Sequence, residues 1–289
     1  MLRSQPSRID APPPLPRAGL ALLMRVFLKR PAGRAGACPP VPETVFACAA
    51  PDPAQLARYK TLLGFAGEGV PLTWYYLLVQ RAHLATMLDP AFPFRLPGMV
   101  HVENDLVEYA SPAPGAPLRL VTTVRIEPPT ASGARFCVLD TVIFEGGRRV
   151  LACVSKYLAQ AGRRGGAARA QPGAAPSGEA LGGWRVGRGE GRAYARVSGD
   201  WNPIHLARWT ARLFGLRAPI IHGMHSVAKA AALLEARRGR RVTAVAVRFR
   251  AAVPLGSALR MLQAPGTSTF ALVCDGKLAV EGSFVEAAS

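Results

Sequence analysis

The stretch HGMHSVAKAAALL (residues 222–234), followed by VTAVAVRF (residues 242–249), decides the fold. In the first part Val227, Ala230 and Leu234 recur at helical spacing, which predicts a helix over 226–234. The second part is β-rich and alternates, which predicts a strand. Further strands are predicted at 258–262, 268–274 and 278–285, separated by Gly, Pro and Asp-Gly turns. One helix followed by several consecutive strands indicates an α+β fold.

The first half of the chain shows the same order of elements. An apolar helix is predicted over 75–88, and strands are predicted at 100–102, 118–126, 135–144 and 149–157. Tyr59 precedes Gly64 by five residues, as Tyr194 precedes Gly199. We interpret the two halves as an internal repeat, in which a long antiparallel sheet wrapped around a central helix is made twice.

Two low-complexity segments divide the chain. Residues 1–42 are rich in Pro and Arg and are predicted to be an arm with one short helix. Residues 161–189 are rich in Gly, Ala and Arg without an apolar period, which is typical of a linker. Two domains follow, at 43–160 and 190–289.

Composition limits the class of protein. Apolar residues make up 49% of the 289 residues, enough for a sizeable core. The five cysteines form no close pair, which argues against disulfides and zinc and favours a reducing, cytoplasmic location. No stretch reaches the ~20 apolar residues of an integral membrane segment. Residues 19–24, followed by Arg25, predict an amphipathic surface helix, with a peripheral membrane or partner contact as the alternative.

The formal net charge of +18 suggests an anionic partner. However, the basic residues are nearly all arginine in a chain rich in Ala, Gly and Pro, which has a compositional explanation. No basic patch interleaved with aromatic residues is present, so we predict no nucleic-acid binding.

The segment from Tyr194 to Met224 carries candidate chemistry. Gly199 and the Asn-Pro pair at 202–203 mark a tight loop that holds Asp200 and His205 five residues apart. A carboxylate and an imidazole that converge can hold one water and transfer its protons. The Gly223 amide opens a helix and is a suitable donor for an oxyanion. The alternative is structural, because an Asp before Asn-Pro is often a helix cap or an Asx turn and a single histidine is usually structural.

The pattern Tyr-x-x-x-Ser-Gly-Asp-x-Asn-Pro-Ile-His, followed by Ile-His-Gly-Met at 221–224, resembles the signature of the MaoC-like, (R)-specific enoyl-thioester hydratases. The resemblance is dense over 192–225 and looser through 247–250 and 254–256. Residues 43–158 are similar to the degenerate first domain of two-domain members. The resemblance implies a double hot-dog fold.

The resemblance also implies roles for individual residues. Asp200 and His205 would hold and activate water, Asn202 would shape the loop and hydrogen-bond near that water, and the Gly223 amide would face the thioester carbonyl. Substrate contacts are expected from Ser198, His222, Met224, Ser226 and Arg248. No metal or other cofactor is implied.

The implied substrate is a 2-enoyl or 3-hydroxyacyl thioester on coenzyme A or an acyl carrier protein. Both carriers are anionic, so some arginines are candidates for contacting phosphate, namely Arg208, Arg212, Arg217, Arg248 and Arg250. A homodimer is also expected.

Aligning Tyr59 with Tyr194 places Phe65 opposite Asp200 and Val70 opposite His205. The first half therefore lacks both catalytic groups, and we expect one active site per chain. Two alternatives remain: a non-catalytic subunit that binds acyl thioesters, and a hot-dog thioesterase.

Overall fold

A computed structural model describes residues 11–30, 41–162 and 178–288. The helices within these ranges are α1 Leu20–Leu28, α2 Pro53–Leu63, α3 Leu72–Met87, α4 Glu190–Ser198, α5 Arg208–Leu213 and α6 Gly223–Arg238, and a 3-10 turn spans Pro203–His205. The strands are β1 Thr44–Cys48, β2 Val100–Glu108, β3 Leu118–Ile126, β4 Arg135–Glu145, β5 Arg148–Gln160, β6 Glu179–Arg185, β7 Val242–Phe249, β8 Ala258–Gln263, β9 Thr269–Cys274 and β10 Lys277–Glu286.

The described strands form one ten-stranded sheet in the order β1-β3-β4-β5-β2-β7-β10-β9-β8-β6, with antiparallel pairing throughout. From each outer edge inward, the five strands of one half follow the same order as those of the other half. The halves meet where β2 pairs with β7, with Asn104 opposite Val247. This arrangement confirms the predicted double hot dog.

Each half wraps its strands around a helix of 16 residues, α3 or α6. Helix α3 buries Trp74, Tyr75, Tyr76 and Leu77 in succession, so it is apolar on nearly every side, as expected of a central helix. Helix α6 is rich in alanine instead, and its small side chains allow close packing. Buried residues of both helices belong to one hydrophobic core that spans the two halves.

The internal repeat is confirmed in the short helices α2 and α4. Tyr59 lies on α2 and Tyr194 on α4, and their ring centroids are 6.5 Å apart. Both helices end at a glycine in the left-handed region, Gly64 at φ 87° and Gly199 at φ 77°. The left-handed conformation favours glycine, which has no Cβ to clash with the backbone.

The predicted linker is wrong for Glu179–Arg185, which forms the edge strand β6 and pairs with β8. Residues 163–177 of that linker lie outside the described residues. Composition misled the prediction because Gly182 and Gly183 are typical of linkers. In the structure a Cβ on Gly183 would lie 2.5 Å from the Leu259 carbonyl oxygen, so the strand pairing requires glycine there.

The described part of the N-terminal arm packs on the first half. Leu15 is buried, its amide donates to the Ala47 carbonyl at 2.7 Å, and the Ala47 amide donates to the Pro13 carbonyl at 2.8 Å. The predicted short helix is present as α1, whereas residues 1–10 and 31–40 lie outside the described residues. Among the described helices, none combines the length and apolarity needed to cross a bilayer.

Candidate active site

A loop after α4 presents Asp200. The Ser198 hydroxyl donates to the Tyr194 carbonyl at 2.8 Å and accepts the Asp200 amide at 3.1 Å. Asp200 Oδ1 in turn accepts the Asn202 amide at 3.1 Å. The Asn202 side chain accepts the Ile204 amide at 3.4 Å and caps the 3-10 turn that ends at His205. Ser198 and Asn202 therefore shape the loop that leads from the carboxylate to the imidazole.

His205 is buried, and its tautomer follows from its partner. Nδ1 lies 2.8 Å from the Ile220 carbonyl oxygen, which can only accept, so Nδ1 carries the proton. Nε2 therefore has a free lone pair and can act as a base. The ring stacks on that of His222 with the centroids 3.6 Å apart. His222 Nε2 donates to the Asp200 carbonyl at 3.0 Å, which ties the stacked pair to the loop.

Asp200, His205 and His222 form a compact polar cluster. One side-chain nitrogen or oxygen from each lies within 4.8 Å of the others. A water that donates ~2.8 Å hydrogen bonds to two acceptors spans ~4.4 Å between them, so such a cluster suits one water. Two imidazoles and a carboxylate are also a donor set that zinc accepts, so a metal-free site stays a prediction.

The pKa values of His205 and Asp200 leave both side chains able to accept a proton at neutral pH. Burial lowers the pKa of His205 to about 3, with a further contribution from His222. Burial alone would raise the pKa of Asp200. Attraction to the His222 and His205 rings in their protonated forms, together with the hydrogen bonds from Asn202 and Gln80, outweighs it and holds that pKa below its usual value. At neutral pH the site therefore contains a neutral imidazole beside an ionised carboxylate.

Gly223 is the first residue of α6, and the preceding His222 side chain does not cap the helix. The Gly223 amide thus lies at the positive end of a 16-residue helix, beside the imidazole cluster. A Cβ on Gly223 would lie 2.6 Å from the Phe249 ring, so only glycine allows this close packing. The role of the Gly223 amide as a donor to a carbonyl oxygen stays a prediction.

The remaining residues predicted to contact substrate lie on α6 and on β7. Met224 and Ser226 are buried on α6. Arg248 does not join the site, because it is exposed and its Nε lies 3.6 Å from the Glu103 carboxylate. Side chains alternate along β7, so Phe249 faces Gly223 whereas Arg248 faces outward. Arg248 therefore lies on the side of β7 opposite the Asp200–His205 cluster, and its predicted contact with substrate remains a prediction.

The arginines predicted to contact phosphate also lie in two different places. Arg250 pairs with Glu281 near Arg248. By contrast, Arg208 and Arg212 on α5 and Arg217 beyond it are exposed and follow the His205 turn closely in the chain.

One residue at the site was missed by the sequence reasoning. Gln80, in the middle of α3, donates from Nε2 to Asp200 Oδ2 at 2.7 Å. It lies 120 positions away in the chain, in the half that does not contain Asp200 and His205. A signal in the sequence was a polar residue in a mostly apolar central helix, but α3 also carries Arg81 and His83, and nothing in the sequence connects Gln80 with Asp200.

Comparisons with known proteins bear on the family and the fold of this chain. The MaoC like domain family matches residues 185–264. The 3-hydroxyacyl-thioester dehydratase X of Mycobacterium tuberculosis is 30% identical over 197 residues, which cover 64% of this chain and 67% of the relative. The chain belongs to the MaoC-like dehydratase family.

Solved structures of MaoC-like proteins share the fold. The crystal structure of HtdX from M. tuberculosis matches with a TM-score of 0.68 and 26% identity, covering 85% of this chain and all of that chain. The full-length peroxisomal multifunctional enzyme type 2 from Drosophila melanogaster matches 84% of this chain and 48% of its own, with a TM-score of 0.64 and 19% identity. The latter likeness concerns the fold alone.

Proposed function

We propose that this MaoC-like protein interconverts 2-enoyl thioesters and (R)-3-hydroxyacyl thioesters by adding or removing water. The observation that carries the proposal is the placement of Asp200 beside His205, whose Nε2 is left free by the bond from Nδ1 to Ile220. The relative in M. tuberculosis, named a 3-hydroxyacyl-thioester dehydratase, supports the reaction class.

In the hydration direction, Asp200 and the free nitrogen of His205 accept hydrogen bonds from one water. One of them takes a proton as the water oxygen bonds to C3, and C2 receives a proton from the pair. The two side chains finish in their starting protonation states. Dehydration is the reverse: the pair removes the C2 proton and protonates the departing hydroxyl.

The thioester carbonyl makes the C2 proton transferable, because negative charge develops on its oxygen in the transition state. The Gly223 amide at the start of α6 is the proposed donor to that oxygen. A single such donor contributes about 3 kcal/mol in comparable sites.

The carrier on the acyl group is proposed to be coenzyme A or an acyl carrier protein. The exposed arginines 208, 212 and 217 after the His205 turn support this, because guanidinium groups bind phosphate well. A homodimer and a cytoplasmic location remain predictions.

The test follows the ultraviolet absorbance of the conjugated 2-enoyl-coenzyme A, starting with crotonyl-coenzyme A, together with free thiol. We expect loss of conjugation without thiol release. Asp200→Asn and His205→Ala should each lower kcat by about 10²- to 10⁴-fold. Asp140→Asn, which alters an exposed aspartate on β4, is the matched control and should leave kcat unchanged.

The other outcomes discriminate between the alternatives. Thiol release at a rate that depends on Asp200 would identify a thioesterase. Binding of acyl thioesters on both carriers without turnover would identify a non-catalytic subunit.

A further inference from the structure

Gln80 connects the half of the chain without catalytic residues to the catalytic carboxylate. It lies on α3, whose neighbouring residues Tyr76, Leu77, Leu78 and Val79 are all buried. The backbone that carries Gln80 is therefore held by the core, and its 2.7 Å hydrogen bond to Asp200 Oδ2 starts from a rigid element.

The two oxygens of Asp200 are held from different sides. Oδ1 accepts the amide of Asn202 in its own loop, and Oδ2 accepts Gln80 from the other half. An ionised carboxylate can accept about four hydrogen bonds. Two known donors fix its plane and leave acceptor positions for a water.

We infer that Gln80 is a positioning residue, which orients the Asp200 carboxylate and keeps it ionised for the proposed hydration reaction. The inference rests on that proposed function. It assigns the first half a part in the active site, in addition to its part in the sheet and the core.

The chemistry of the amide explains why a glutamine suits this place. A neutral N–H donor binds an ionised carboxylate more strongly than a protonated one, so it favours the charged form. It does not titrate and it brings no countercharge that would pair with the catalytic anion. In agreement, the bond from Gln80 is one of the contributions that lower the pKa of Asp200 against the effect of burial.

The chain offers a matched control in Gln55. This glutamine lies on α2 and donates from Nε2 to the Val197 carbonyl on α4 at 2.6 Å, so it also bridges the two halves. It does not contact Asp200. The variants Gln80→Leu and Gln55→Leu each delete one such bond and keep a side chain of similar length.

The first experiment measures kcat and KM for hydration of crotonyl-coenzyme A against pH in both variants. For Gln80→Leu we expect kcat to fall about 10- to 100-fold, the usual range for a lost hydrogen bond to a charged group, with KM changed less than about threefold. The pH below which activity is lost should also rise, because Asp200 becomes easier to protonate. For Gln55→Leu we expect kcat, KM and the pH profile to stay within about threefold of the unaltered protein.

A second measurement is independent of turnover. The ¹³Cγ resonance of Asp200, identified by its absence in Asp200→Asn, is titrated in the full-length protein and in both variants. A higher pKa in Gln80→Leu alone supports the inference. An unchanged pKa in Gln80→Leu, or an equal shift in Gln55→Leu, overturns it.

The two readouts separate the inference from the proposed function. If the unaltered protein hydrates no enoyl thioester, the proposed function fails, and the titration still decides whether Gln80 controls the charge of Asp200. If the protein is active and Gln80→Leu keeps its kcat and pH profile, the inference alone fails.

Discussion

At the residue scale, two neighbours set the protonation state of His205. The Ile220 carbonyl fixes the proton on Nδ1, and the stacked His222 ring, 3.6 Å away, excludes solvent from one face. Burial and the nearby His222 disfavour a second proton, which lowers the pKa of His205 to about 3. A histidine that would be partly protonated in water near pH 6.5 is therefore a neutral base in the protein.

This environment predicts an unusual pH dependence. Since the proposed reaction needs a neutral His205 and an ionised Asp200, and both pKa values are lowered, kcat for hydration should stay constant from pH 8 to about pH 5. The rate at each pH is measured after subtracting the hydrolysis seen without protein. A tenfold fall in kcat centred near pH 6.5 would show instead that His205 titrates like a histidine in water.

At the scale of elements, the site depends on a close contact between α4 and the 3-10 turn. Gly191 lies near the start of α4, and a Cβ built on it would lie 2.1 Å from the His205 carbonyl oxygen. The contact is with backbone, so a side chain could be accommodated only by moving the turn that carries His205. Packing of a helix against this turn thus sets the position of the imidazole.

Gly191→Ala should therefore separate α4 from the turn. We expect kcat to fall about tenfold or more, and the free energy of unfolding to fall by about 1–3 kcal/mol, as in other overpacked sites. Both are measured by steady-state kinetics and urea unfolding. Gly189→Ala is the control, because a Cβ on Gly189 meets nothing within 4 Å, and an equal loss in that variant would disprove the steric explanation.

At the scale of the whole molecule, burial of the histidine side chains makes the free energy of unfolding depend on pH. The chain has five histidines, and the pKa of each is lowered, chiefly by burial. In the first half His83 is held between Tyr157 and Thr141, and its pKa falls to about 3, while that of His101 falls to about 4. Between these values and about 6.5 the unfolded chain binds more protons than the folded one, so stability decreases as the pH falls.

The protein should consequently unfold more easily in mild acid. At pH 4.5, about two units below the pKa of an unfolded histidine, burial of His83 and His101 together should lower the free energy of unfolding by about 5 kcal/mol. We expect the Tm from circular dichroism to fall by about 10 °C or more between pH 7 and pH 4.5. His83→Gln should reduce this fall, and a Tm independent of pH over that range would contradict the argument.

Much of this protein could be predicted from its sequence because the signals are local. Strands 118–126 and 242–249 occur as predicted, since alternation is visible within each segment. The predicted central helices are present as α3 and α6, and the Asp200–His205 loop also lies within a few residues of chain. The internal repeat could also be predicted from a local signal, because Gly64 follows Tyr59 and Gly199 follows Tyr194, each by five residues.

Other features depended on the tertiary structure because they join residues far apart in the chain. The sequence of β6 is typical of a linker, and only its pairing with β8 makes it a strand. Likewise, only the tertiary structure shows that Arg248 points outward from β7, toward Glu103. Gln80 reaches Asp200 only because the two halves pack so that α3 lies beside the loop after α4. Sequence patterns report which residues share an element, whereas pairing and packing decide which elements share a site.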